Sequence, residues 1–377
     1  MFDISNIDKN FKINFKIPED TEFYDCFSEP IEINGLYLDN EENVFTRLPE
    51  KFMERDDIND ALKYLMHDTA GGRIRFATDS PYVAVVVELL HVMNMMHMPP
   101  TGHSGMDVYT CEMGKSNFTY KKTFMPKATM EDSDKIYSGL CEFGAYDDYK
   151  NHEVMLNMPL YNGLVSVKVG IKKGCKLFSP VPYKNCPPIY FYGGSTNQGG
   201  CASRPGNTHA AYISRELNID YVNLGFSGSA KGEQEIAEYI ASCDMSALVM
   251  SYDSNAPTNE HLRNTHYHFY KTIRDKHPDI PIFVMSFPGY NKRHAFQFFN
   301  MSIPARDIIE GNHIIMETYM RAVSEGDENI YYIDGETVYG TENQDFCTVD
   351  GCHPNDHGFY LWGKAILSPL KRAMKLF

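Results

Sequence analysis

Ser195 lies in a run of small and polar residues, Gly193-Gly194-Ser195-Thr196-Asn197-Gln198-Gly199-Gly200, directly after an apolar stretch at 189–192. Glycines on both sides permit a tight turn off a strand, which holds a serine hydroxyl out at the edge of a sheet as a nucleophile. Such a hydroxyl needs a base. In Val349-Asp350-Gly351-Cys352-His353-Pro354-Asn355-Asp356-His357 a carboxylate stands three residues before a histidine. Asp350 can thus orient the His353 imidazole so that its other nitrogen takes the serine proton. Two further loops, Asn223-Leu224-Gly225-Phe226-Ser227-Gly228 and Tyr252-Asp253-Ser254-Asn255-Ala256-Pro257, offer the backbone and side-chain amides that a developing oxyanion requires.

Each segment, taken singly, also has a plainer reading as turn chemistry. The serine loop as a phosphate cradle lacks the lysine of GxxxxGK[ST] and the GxGxxG spacing. Asp350, His353, Asp356 and His357, with Cys347 and Cys352 close by, are all candidate zinc ligands, but their spacing matches no common motif and leaves the serine loop unexplained.

The elements that must position these loops have two rhythms. From Pro187 onward, short apolar runs at 189–192, 221–223, 247–251, 282–286 and 330–333 alternate with helical stretches at 208–217, 232–241, 258–277, 304–325 and from 358 to the C-terminus. That alternation predicts a parallel sheet with crossover helices, and in such a sheet ligands bind beyond the carboxyl ends of the strands, where the serine, amide and histidine loops all fall. Up to about Pro182 the chain reads as all-β, with runs at 73–77, 82–90 and 164–171 suited to an antiparallel sandwich. The joint Tyr183-Lys184-Asn185-Cys186-Pro187-Pro188 is the expected linker, dividing the chain into 1–184 and 185–377.

Composition narrows the function classes. With 377 residues, 43% of them hydrophobic, the chain is long enough for two packed domains. A formal net charge of −15 and no dense basic cluster argue against nucleic acid or an anionic membrane as partner. Nine cysteines without a CxxC pair fit reduced thiols, and no apolar run approaches a membrane span. The N-terminus has no signal-like apolar core, so a cytoplasmic location is expected, although a mature secreted chain would read the same way.

Taken in order, the four segments resemble the four blocks of the SGNH/GDSL hydrolase superfamily. The resemblance implies Ser195 as nucleophile, Asp350 and His353 as the DxxH pair, and an oxyanion hole from the Ser195 and Gly228 amides and the Asn255 side chain. Gly194 replaces the aspartate of the usual GDS, and Asp253 and Ala256 replace the residues flanking the asparagine of GxND. The longer string STNQGGCASRPGNTH and the segment YDSNAPT are similar to a bacterial branch with an N-terminal β-sandwich carrying a GxDLY-type motif. Here that motif reads Gly105-Met106-Asp107-Val108-Tyr109, after a loop at 97–103 that can wall the active site.

The fold so implied is α/β: a flavodoxin-like three-layer SGNH hydrolase with a five-stranded parallel sheet, preceded by an all-β, jelly-roll-like sandwich. The activity implied is hydrolysis of small acyl esters, acetyl foremost, on a small molecule or oligosaccharide, without a cofactor or a metal. Asn197, Gln198, Arg204 and Tyr252, with His103 from the first half, are candidate substrate contacts. A lipid or aryl ester hydrolase with the same triad, and a non-catalytic glycan-binding protein on the same fold, are the alternatives. Homo-oligomerisation is left open.

Overall fold

The computed structural model describes residues 4–9, 15–38, 43–127, 130–145, 149–288 and 308–376. The described residues of the first half form ten strands: β1 (Thr21–Asp25), β2 (Glu32–Asn34), β3 (Arg73–Thr78), β4 (Tyr82–Leu89), β5 (Met106–Glu112), β6 (Thr119–Phe124), β7 (Ile136–Glu142), β8 (His152–Asn157), β9 (Leu164–Lys172) and β10 (Leu177–Phe178). They form two antiparallel sheets, ordered β1-β9-β4-β7 and β10-β3-β8-β5-β6, with β2 paired to β3. Val83, Val85 and Val87 of β4 meet Ile74, Phe76, Val108 and Leu156 in the core between the sheets, as the period of two along a strand requires.

The other face of the second sheet is not open to water. Arg73 and Arg75 alternate with Ile74 and Phe76 along β3, yet both arginines are fully buried. Arg73 reaches Asp220 and the Tyr221 carbonyl, and Arg75 lies over the Tyr183 ring at 3.8 Å. Their partners come from the second half and from the segment joining it, so this sheet is sandwiched on both faces.

The second half contains β11 (Ile189–Gly193), β12 (Tyr221–Gly225), β13 (Ala247–Ser251), β14 (Ile282–Met285) and β15 (Ile330–Ile333), all parallel and ordered β12-β11-β13-β14-β15. Strand order reverses at β11, which opens the crevice expected at the switch point of a flavodoxin-like sheet. Among the described residues the α-helices are α1 (Asp60–Leu65), α2 (Pro100–His103), α3 (Ser195–Gln198), α4 (His209–Leu217), α5 (Gln234–Ala241), α6 (Asn259–Lys276), α7 (Ile308–Ser324) and α8 (Asp356–Ala373). Residues of α5, α6 and α7 pack on one face of the parallel sheet, and residues of α4 and α8 on the other, giving three layers. Trp362 of α8 is fully buried there as packing.

The expected helix at 304–325 begins outside the described residues and is seen from Ile308; the strand at 282–286 ends at Met285. The all-β reading of the first half missed α1 and α2. Asn59 caps α1 by accepting from the Leu62 amide, and Leu62 and Leu65 bury themselves with Leu48 and Phe52 beside Tyr192 and Leu224 of the parallel sheet. Six residues do not hold a helix alone; packing against the sheet does so here. No helix among the described residues is long and apolar enough to cross a membrane.

Candidate active site

Ser195 follows β11 at the first position of α3, so its N–H belongs to the helix turn that lacks intrahelical acceptors. Its Oγ lies 2.8 Å from His353 Nε2. His353 Nδ1 lies 2.7 Å from Asp350 Oδ2, while Asp350 Oδ1 accepts from the Cys352 and His353 amides at 2.9 and 2.7 Å. The Val349 amide donates to the His353 carbonyl at 2.9 Å and closes the turn that holds both side chains. Burial opposes the charge on Asp350, but the His353 ring and these two amides outweigh it and hold the carboxyl below its ordinary value. The acid thus stays ionised where an imidazolium would form.

Around the serine, Gly228 takes a φ of 67°, with open space where a side chain would project. Asn255 Nδ2 donates to the Phe226 carbonyl at 3.0 Å, which ties the third loop to the second. Gly194 explains its own departure from GDS: a Cβ there would come 2.6 Å from Asn255 Nδ2 and 2.7 Å from Oδ1, so the asparagine occupies that space.

Of the five candidate substrate contacts, four are covered by the protein itself, and Arg204 is partly exposed. Gln198 is fully buried and donates to Asp68 Oδ2 at 2.8 Å and the Leu160 carbonyl at 3.1 Å, while its Oε1 accepts from the Ser227 amide at 2.9 Å. It is a brace under the Gly228 loop. Asn197 is fully buried beneath Gly193. Tyr252 is fully buried too, its hydroxyl 3.0 Å from Thr265 Oγ1. His103 is 1% exposed and bonds Ser104 Oγ through Nδ1 at 2.6 Å. Arg204 donates to Asp107 Oδ2 at 3.0 Å and to the Tyr109 hydroxyl at 2.5 Å. The polar groups of Gln198, Tyr252 and His103 are therefore spent on the protein's own loops.

That arginine gives the GxDLY-type motif its role. Asp107 of β5 is fully buried and also accepts from the Gly206 amide at 2.8 Å and Asn157 Nδ2 at 2.7 Å. The motif thus clamps the loop that follows the nucleophile. Asp356 holds the same loop from the other side, accepting from the Ser203 amide and hydroxyl at 2.9 and 2.5 Å. This engagement occupies both Asp356 carboxylate oxygens, and among the described residues the zinc set of Asp350, His353, Asp356 and His357, with Cys347 and Cys352, does not bring its ligand atoms together.

His97, from the loop between β4 and α2, is the residue that sequence reasoning underused. Its ring meets that of His353 edge to face, 5.3 Å between centroids, and burial, then the neighbouring His353, push its pKa down. The wall expected from the 97–103 loop is this one imidazole; no spacing signal ties it to a histidine more than two hundred residues away.

The comparisons agree with this architecture. Residues 187–371 match the model of the GDSL-like lipase/acylhydrolase family, and residues 21–177 match that of the N-terminus of SGNH-hydrolase-type esterases, the GxDLY module. A protein from Bacteroides ovatus ATCC 8483 described as a GDSL-like lipase is similar in structure, with a TM-score of 0.79, 25% identity, and coverage of 94% of this chain and 98% of that one. A salicylyl-acyltransferase from a tetracycline biosynthetic pathway has a TM-score of 0.71 at 17% identity, covering 96% and 99%. An acetyl xylan esterase from the rumen bacterium Butyrivibrio proteoclasticus has 0.57 at 12%, covering 95% and 99%. No curated protein sequence matches the chain. The chain therefore belongs to the SGNH/GDSL family of ester hydrolases, as a member whose GDSL-like domain is preceded by the GxDLY module.

Proposed function

We propose that this chain is a serine esterase that removes a small acyl group, acetyl foremost, from a carbohydrate. The continuous relay from Ser195 Oγ through the His353 ring to Asp350, with bonds of 2.8 and 2.7 Å, is the observation that carries the reading. His353 Nε2 takes the hydroxyl proton as Ser195 Oγ bonds to the ester carbonyl carbon, and Asp350 holds the charged ring in place. The Ser195 and Gly228 amides and Asn255 Nδ2 serve the oxyanion. Collapse expels the alcohol, which leaves with the proton from His353; water, deprotonated by the same ring, then releases the acid.

A small acyl group is supported by crowding beside the triad: a side chain at Gly200 would meet the Tyr161 hydroxyl at 2.9 Å and His353 Cδ2 at 3.2 Å. The carbohydrate is supported by likeness to the acetyl xylan esterase. An aryl or longer acyl ester is a second reading. It is favoured by the exposed Met96, Phe346 and Val349, which stand in sequence next to His97 and within four residues of Asp350.

Nitrophenyl acetate, butyrate and octanoate and an acetylated xylo-oligosaccharide, each given to wild type and to Ser195→Ala, test both readings. Acetate release from the oligosaccharide by wild type alone is expected. A preference for octanoate would favour the second reading, and full activity in Ser195→Ala would exclude this nucleophile.

A further inference from the structure

Cys201 follows the nucleophile helix at a φ of 73°, a conformation that residues bearing a Cβ seldom adopt. The turn brings its thiol into a group with His97, Asp350 and His353 in which one ligand atom from each lies within 4.8 Å of the others. Cys201 and Asp350 are buried, and the two histidines are partly so. The hydrolytic cycle uses neither Cys201 nor His97. Tetrahedral zinc, at about 2.0 to 2.3 Å from each ligand, holds its donors roughly 3.3 to 3.8 Å apart, so shortening the widest separations in this group by about 1 Å would fit it around an ion. One sulfur, two imidazoles and one carboxylate suit zinc, cobalt or cadmium, whereas calcium and magnesium take oxygen.

We infer that His97, Cys201, Asp350 and His353 form a binding site for a thiophilic divalent cation, zinc foremost, whose occupation switches the enzyme off. The four ligands come from the first half of the chain, the loop after α3 and the C-terminal turn, so the site exists only in the assembled molecule. His353 already uses both ring nitrogens, one towards Ser195 and one towards Asp350. A metal on Nε2 displaces the serine hydroxyl; a metal on Nδ1 takes the place of the proton shared with Asp350, which moves to Nε2 and blocks it, and recruits that carboxylate as ligand. In both cases His353 no longer serves as base, and the proton lost by the Cys201 thiol goes to solvent.

The inhibition rests on Ser195 and His353 being the reacting pair, whereas the binding does not, so the two are measured separately. Ser195→Ala, which keeps all four ligands, is titrated with Co²⁺ and then with Zn²⁺. The expected result is one equivalent of cobalt with a thiolate-to-cobalt charge-transfer absorption, displaced by zinc. Adding Cys201→Ser should remove that absorption, adding His97→Gln should keep it while weakening zinc at least about tenfold, and adding Cys175→Ser should change neither.

In wild type, zinc should inhibit hydrolysis of nitrophenyl acetate and a chelator should restore it. Cys201→Ser, judged against its own metal-free rate, should need at least about tenfold more zinc for half inhibition. Cobalt bound without the absorption, or zinc affinity indifferent to both Cys201→Ser and His97→Gln, overturns the site. Tight binding without inhibition overturns the switch. A wild type inactive on every ester would sink the preceding reading, and the cobalt spectrum would still decide the site.

Discussion

A methyl group on Gly194 would stand 2.6 to 2.8 Å from the Asn255 amide group, nearer than unbonded carbon is found, while a φ of −86° is open to any residue. Gly194→Ala is therefore expected to fold and to push Asn255 off its place. Because an oxyanion donor acts on the transition state, kcat should fall by about 100-fold with KM little changed. Steady-state kinetics beside a melting curve checks this; an unchanged kcat would remove Asn255 from the oxyanion hole. Ser195 and Asn255 stand out in sequence because each lies just past the carboxyl end of a strand, β11 or β13, where local pattern and chemistry coincide, whereas the DxxH pair lies well beyond β15 and is marked only by its own spacing. Asn197, Gln198, Tyr252 and His103 were misread because a polar side chain looks the same in sequence whether water or protein covers it.

At the scale of elements, the nucleophile loop is held by strands and helices that are far away in sequence. β5 presents Asp107 to Arg204 and Gly206, and Arg47, fully buried before α1, donates to the Asn223 carbonyl at 3.3 Å and to the Gly225 carbonyl at the end of β12. Burial pushes the pKa of that guanidinium down to about 10, with Asp68 opposing the shift. Asp107→Asn would leave the Arg204 cation without its counter-charge in a mostly buried setting, at a cost of about 3 kcal/mol. Its urea midpoint is expected to fall accordingly, and hydrolysis to weaken as the loop loosens. A midpoint equal to that of wild type would show that the clamp contributes nothing. The strands in this clamp were legible as strands, but their partners were not, because alternation gives the two faces of a sheet without saying what lies against each.

Across the whole molecule, burial keeps several histidines neutral. His209, stacked on Trp362 with centroids 4.4 Å apart, and His266 have pKa values pushed down to about 3, and His103 to about 4. In the unfolded chain each takes up a proton near pH 6.5. Between roughly pH 6.5 and pH 4 the unfolded state thus binds more protons than the folded one, and stability falls as pH drops, by up to about 1.4 kcal/mol per pH unit for each histidine. Melting temperatures should decline from pH 7 to pH 5, and His209→Phe, which keeps the stack, should flatten the decline. Parallel curves for the two proteins would contradict this.

Sequence alone determined the parallel sheet, its crossover helices, the sandwich ahead of it, and the residues of the Ser195, Asn255 and Asp350 loops, since hydrophobic period and turn chemistry act over a few neighbours. Only the tertiary structure decided that the polar face of β3 is an interior surface, that α1 belongs to the core of the second half, and that His97 and Cys201 meet the triad. Each of these depends on which distant surface arrives to exclude water, a property of the packed chain that no local stretch contains.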